Sequence, residues 1–303
     1  MVVLMTIAIT ALMTGCGKSS NVAAERIDPA LASLVPADTA VMVGAKLDKL
    51  RDTPTYQRHF SQMSFPKLDD FAKDTGLDPR KDVWEVLFCS NGRDAGVLML
   101  RGKFSTRELE PRLEREGAAK TNYKGYGLFG DERNSVFFMN ASTAVAGSTP
   151  SLKTIIDNRD RTGSGVPAAL RPLIDGAAAN AQVWAVFDAA NITLPFAGAG
   201  PFGNMDQILR SIQNGRFSAD LAKGFAFQAN GSCTDDKSAK QIHDLLKGLI
   251  GIGRLSTSDK QPEMLKVYDA IKVEQQGSKV NVSADVGQDL VDKFIDTFVA
   301  RKK

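Results

Sequence analysis

The chain has 303 residues, of which 43% are apolar and 24% charged, with 38 basic side chains against 35 acidic ones and a formal charge of +3. Such a composition builds a buried core without metal or disulfide support and argues against extended disorder. Opposite charges are interleaved, as in 108–116 (ELEPRLERE), so no basic stripe with aromatics between marks a nucleic-acid partner.

Residues 2–13 (VVLMTIAITALM) form an uncharged, mainly apolar run that ends at Thr14, Gly15 and Cys16. It is shorter than the roughly 20 residues that cross a bilayer, and it suits the apolar core of a secretion signal, about 7–15 residues. Met13-Thr14-Gly15-Cys16 resembles the lipobox of bacterial lipoproteins. That resemblance implies cleavage before Cys16 and lipid on its sulfur, with the membrane as partner. Each buried CH₂ contributes about 0.8 kcal/mol, so several acyl chains anchor without a spanning helix. Gly17 follows the cysteine where Asp would imply inner-membrane retention, so the resemblance implies the outer membrane, facing the periplasm. The small polar residues Gly17, Lys18, Ser19, Ser20 and Asn21 read as a tether. The expected organisation is a signal peptide at 1–15, a tether at 16–27, and two halves at 28–160 and 161–303.

In the first half, 39–45 (TAVMVGA) predicts a buried strand and 67–73 a helix ended by Gly76. Strands at 83–89 and 96–101 are joined through Asn91-Gly92, whose tolerance of positive φ marks an antiparallel hairpin. Ser105 and Glu108 have capping-box spacing for the next helix, with Phe104 and Leu109 as its staple, Pro111 inside it and Gly117 after it. Strands at 125–129 and 135–140 precede a helix opened by Pro150.

The second half predicts a strand at 183–187, a glycine-rich loop, a helix at 206–213, a strand at 225–229 and a helix at 237–249. A hairpin of 271–275 with 279–284 follows, then a terminal helix with its apolar stripe at Leu290, Val291, Phe294, Ile295, Phe298 and Val299. The order strand, helix, hairpin, helix occurs twice, starting from the strands at 96–101 and 225–229. It predicts an α+β fold of two weakly repeated halves, each a mainly antiparallel sheet covered by helices on one face. The polar stretch 158–165 (NRDRTGSG) marks the boundary, and one continuous sheet is the alternative.

No catalytic or cofactor constellation stands out. Gly198, Gly200 and Gly203 have the spacing of a dinucleotide fingerprint, but residues 189–197, Pro195 among them, separate them from the preceding strand. The fingerprint needs its first glycine directly after a strand, so a glycine-rich loop is the expectation and no cofactor is assigned. His59 and His243 lie far apart with no metal-ligand spacing, so no metal site is assigned either. The pairs Asp69-Asp70 and Asp235-Asp236 read as charges at helix N-termini. With Cys16 lipidated, Cys89 and Cys233 form either a disulfide or two separate buried thiols.

The leading functional reading is a membrane-anchored envelope lipoprotein acting as a non-enzymatic scaffold or binding module. A carrier of lipid or another apolar ligand, gated by Leu194, Pro195, Phe196 and Phe202, is the alternative. A hydrolase whose site is assembled only in space comes third. The body has the general look of bacterial envelope proteins, a resemblance that implies no activity.

Overall fold

The computed structural model describes residues 26–93, 96–159, 165–177, 179–192, 210–258 and 261–300. The chain is α+β. In the first half the strands are β1 (Val41–Lys46), β2 (Val83–Ser90), β3 (Gly96–Gly102), β4 (Ala119–Tyr123), β5 (Tyr126–Gly130), β6 (Asn134–Asn140) and β7 (Thr143–Ser148). The second half supplies β8 (Val183–Asp188), β9 (Ile212–Asp220), β10 (Gly224–Cys233), β11 (Lys272–Gln276) and β12 (Lys279–Gly287). All twelve form one antiparallel sheet in the order β11-β12-β10-β9-β8-β1-β2-β3-β7-β6-β5-β4.

That order is two-fold about its middle. Outward from the β1–β8 pair, the first half reads β1-β2-β3-β7-β6 and the second reads β8-β9-β10-β12-β11. In each half the third strand leads into a helix, α5 (Thr106–Arg115) or α8 (Asp236–Leu255), and the chain returns with a hairpin whose later strand lies against the third. The two sheets expected of the halves are thus joined edge to edge through β1 and β8, where Val41 faces Phe187 and Gly44 faces Trp184. Of the boundary stretch 158–165, residues 160–164 lie outside the described residues.

Side chains alternate between the two faces of the sheet. One face carries Met42, Leu87, Cys89, Met99, Phe137, Val145, Trp184 and Val186, packed against Leu31 of α1 (Pro29–Ala32), Leu152 and Ile155 of α6 (Thr149–Asn158) and Ile174 of α7 (Arg171–Asp175). The opposite face carries Val86, Leu100, Ala144 and Phe138, with Phe104 and Leu109 of the α5 region. Helical cover in the first half is therefore two-sided, because its strands are apolar on both faces. In the second half α8 packs Ala239 and Ile242 on Cys233, Val273 and Val280. The reverse face there is polar: Arg216 Nε donates to Asn230 Oδ1 at 2.8 Å, and Asn230 Nδ2 to Asn281 Oδ1 at 2.6 Å.

Among the described residues the remaining helices are α2 (Leu47–Arg51), α3 (Pro66–Thr75), α4 (Pro79–Asp82), α9 (Pro262–Ala270) and α10 (Gln288–Ala300), with a π-helical turn at Tyr56–Phe60 and a 3-10 turn at Ala189–Asn191. Gly76 ends α3 in the left-handed conformation at φ 74°, which glycine adopts without steric cost.

Two local expectations are corrected. Ile212 and Gln213, expected at the end of a helix, open strand β9 instead, because Phe217 and Ala219 alternate with Asn214, Arg216 and Ser218 along a half-buried strand. The capping box at Ser105 is not formed. The N–H groups of Glu108 and Leu109 both donate to the Ser105 carbonyl at 2.9 Å, and the Ser105 side chain makes no capping bond.

Candidate functional site

A cavity of about 470 Å³ opens at the end of the sheet beside β2 and β3. Three chain segments build it. The first is the link from α1 to β1, whose Leu34 and Val35 are buried while Ala37 and Asp38 are exposed. Thr39 N–H donates to Pro36 O at 3.1 Å, and Ala40 N–H donates to Ser90 O at 2.8 Å, which pins this link to the end of β2. The second segment is the β2–β3 connection. There Ser90 Oγ accepts from Gly92 N–H at 3.0 Å and Asn91 Oδ1 accepts from Arg93 N–H at 3.0 Å, so both side chains hold the turn.

Helix α6 is the third segment. Ser148 caps it by accepting from Ser151 N–H at 3.3 Å, and a proline occupies its first turn. Its buried positions Leu152, Ile155 and Ile156 face the sheet, and Ser151, Thr154, Asn158 and the following Arg159 line the cavity with Ile155. The Arg159 guanidinium lies 5.4 Å from the Tyr126 ring centre. The floor is thus apolar, made by Leu34, Val35, Val97, Ile155 and the Cys89 thiol, and Asp38 and Arg159 are exposed at the rim.

Two residues of the floor stand apart chemically. Cys89 is 1% exposed, and burial pushes its thiol up to about 12, so it remains protonated and unreactive at neutral pH. Thr39 is 6% exposed, and among the described residues no group hydrogen-bonds its Oγ1.

Cys233 lies at the other end of the design, in the α8 cluster. The strand order puts β2 and β10 four spacings apart, roughly 19 Å at about 4.8 Å each, whereas a disulfide needs Cα atoms within about 7 Å. Cys89 and Cys233 are two separate buried thiols. Cys16 and the Gly198–Gly203 segment lie outside the described residues, as do Leu194, Pro195, Phe196 and Phe202.

His59 is brought against acids that sequence spacing did not reveal. On the π-helical turn, its Nε2 is 2.9 Å from Asp292 Oδ1 and its Nδ1 is 3.5 Å from Asp296 Oδ1, both on α10. Gln288 Nε2 donates to Asp292 Oδ1 at 2.7 Å and to Thr55 Oγ1 at 3.1 Å, and Arg58 pairs with Asp292. Burial raises the Asp292 carboxyl, but the bonds from His59, Gln288 and Arg58 outweigh it and hold the group below the ordinary carboxylate range. Every polar partner in this cluster is committed to another, so it clamps the C-terminal helix to the first half. His243, on α8, sits 2.8 Å from its neighbour Asp244. Among the described residues no group of three or more His, Cys, Asp or Glu could hold a metal ion.

The acidic pairs sit at helix starts. Asp235 Oδ1 accepts from Ser238 N–H at 2.7 Å, and this bond holds its carboxyl below the usual range. Asp69, in the first turn of α3, accepts from Phe65 N–H at 3.1 Å and pairs with Arg80 at 2.6 Å. Both roles are structural. Sequence reasoning missed the cavity because its lining comes from three distant segments, and its one sequence-level sign is the lone threonine at the start of an apolar strand.

No protein-family model matches the chain, and no curated protein matches it. Among the described residues no helix is long and apolar enough to cross a membrane. Similarity appears with solved structures. One, described as crystal form III of TP0453, aligns over 89% of this chain and 98% of its own length at 11% identity, with a TM-score of 0.51. Crystal form I of TP0453 aligns over 88% and 96% at 8% identity, with a TM-score of 0.47. At 11% identity, the likeness to crystal form III is one of fold.

Proposed function

We propose that this chain is a lipid-anchored protein of the bacterial envelope whose body is a non-enzymatic binding module, with the cavity beside β2 and β3 as its ligand site. The observation that carries the reading is the cavity itself. Its volume of about 470 Å³ lies in the range of small-molecule sites, roughly 300–1,000 Å³, and its apolar floor beneath a polar rim has the chemistry of such sites. His59 and His243 are both outside its lining, and its one thiol is held protonated, which favours binding over chemistry. The anchor rests on Met13-Thr14-Gly15-Cys16 and the apolar run before it, and an outer-membrane address facing the periplasm on Gly17. Carriage of an apolar molecule is the second reading, favoured by the same floor.

Mass spectrometry of small molecules co-purifying with the detergent-extracted mature protein tests the ligand site. A bulky substitution at the exposed mouth residue Thr154, Thr154→Trp, is expected to remove a species that the wild type retains. Identical profiles from the two proteins would overturn the assignment. Metabolic labelling with a fatty-acid analogue tests the anchor, and Cys16→Ser is expected to abolish it.

A further inference from the structure

We infer that Asn91-Gly92 is a self-modifying site, at which the folded chain converts its own asparagine amide to aspartate and isoaspartate with water as the only co-reactant, whatever the cavity binds. The sequence holds three Asn-Gly pairs, at 91–92, 214–215 and 230–231. Glycine has no Cβ to block the approach to its nitrogen, so in each pair that nitrogen is open to the asparagine side chain before it. The fold separates the three.

Gly92 lies in the β2–β3 connection at φ 75°, beyond the last ladder pair of Ser90 with Gly96. Asn91 Oδ1 accepts from Arg93 N–H at 3.0 Å, and the ring closed by this bond contains both Asn91 Cγ and Gly92 N. The carboxamide is thereby folded over the peptide nitrogen that attacks it. The same N–H polarises the carbonyl and favours the negative oxygen that forms during attack. Gly92 N–H donates to the Ser90 hydroxyl at 3.0 Å, a bond that can yield without opening the sheet. The other two pairs lack this freedom. Gly215 and Gly231 face each other across β9 and β10, and each has a second strand on its other side, where they face Phe187 and Val280. In an extended strand the side chain stands away from the main chain, so attack there requires the ladder to open first. The Asn230 amide is further held by Arg216 and Asn281.

In the first step Gly92 N bonds to Asn91 Cγ and the Cγ–Nδ2 bond breaks. Nitrogen leaves as ammonia with the proton given up by Gly92 N, and a cyclic imide remains. Water then opens the imide. Addition at Cγ gives aspartate in a normal chain, whereas addition at the main-chain carbonyl carbon gives isoaspartate, with the main chain rerouted through Cβ and Cγ. Either product carries a carboxylate and releases a proton. Asn91 and Asp38 both line the cavity, so the modification adds a second carboxylate to that wall.

The test uses hydroxylamine, which cleaves cyclic imides, on the full chain in mildly alkaline buffer with and without urea, read by mass spectrometry. The folded chain is expected to be cut between Asn91 and Gly92 at least about tenfold faster than at either other pair, and urea should bring all three cuts to comparable rates. Incubation of the folded chain without hydroxylamine should accumulate isoaspartate at position 91. Asn91→Gln, which would have to close a larger ring, is expected to lose the first cut. Equal rates at the three pairs in the folded chain, a first cut that appears only in urea, no isoaspartate at position 91 on incubation, or a first cut that persists in Asn91→Gln would each overturn the inference.

Discussion

Gly44 is the position at which a single methyl group should test the packing at the junction of the halves. It faces Trp184 across the β1–β8 pair, and a Cβ built on it falls inside the indole, against Cε2, Cζ2 and Nε1. Gly44 does not have positive φ, so alanine suits its backbone and would by itself stabilise by about 0.4–1 kcal/mol through the unfolded chain. The steric term runs the other way. Trp184 is 2% exposed in the main core. If strands and indole shift to make room, overpacking costs about 1–3 kcal/mol. If the indole is expelled, roughly 200 Å² at about 25 cal/mol per Å² sets an upper bound near 5 kcal/mol. We therefore expect Gly44→Ala to destabilise by about 2–4 kcal/mol in urea unfolding followed by circular dichroism. Trp184→Ala alone should cost about 3–5 kcal/mol. In the double variant the new methyl enters vacated space, so its cost should be close to that of Trp184→Ala, with a coupling of about 2–4 kcal/mol. A Gly44→Ala penalty below about 0.5 kcal/mol, or strict additivity of the two changes, would refute this account of the junction.

Two further outcomes follow from the caps and the clamp. Ser105→Ala should change stability by less than about 0.5 kcal/mol, since its side chain makes no capping bond, whereas Ser148→Ala should cost about 1 kcal/mol; equal effects in denaturant unfolding would contradict the assigned caps. Asp292→Asn should cost about 1–2 kcal/mol at pH 7. Because the folded carboxyl titrates below its unfolded value of about 3.9, this contribution is complete above that value and is lost as pH falls through the folded one, so the two proteins should converge in acid. A gap in urea stability that persists unchanged at pH 2 would show that the ion pairs of Asp292 are not its source.

Where burial alternates cleanly, the elements were legible. Strands 83–89 and 96–101, the stop at Gly76 and the helix opened by Pro150 all appear within a few residues of their expected bounds. Strand β4 was missed because it lies at the sheet edge with most side chains exposed, leaving no apolar period to read. Strand β7 escaped for the opposite reason, since Ala144, Val145 and Ala146 form a short run of small residues between two strands. In β9 the apolar side is Gly215, Phe217 and Ala219, too weak a signal against the polar Asn214, Arg216 and Ser218. The helical pairing of His59 with Asp292 and Asp296 could not be read at all, because it depends on α10 returning to the first half. The order of strand, helix and hairpin from β3 and from β10 was visible in both halves, but the edge joining them was not, since β1 and β8 carry no mark of their partner.

That joining edge also bears on the order of assembly. Every other strand pair in the sheet lies within one half, whereas Val41 must find Phe187 across nearly half the chain. Closing a longer loop costs more chain entropy before any contact returns stabilisation, and pairings distant in sequence slow folding. Each half can complete its own hydrogen-bond ladder while β1 and β8 remain open edges. Docking of those two edges, with Trp184 settling over Gly44, is then the slow step, and until it occurs each half presents an unpaired strand that another molecule of the same chain could capture.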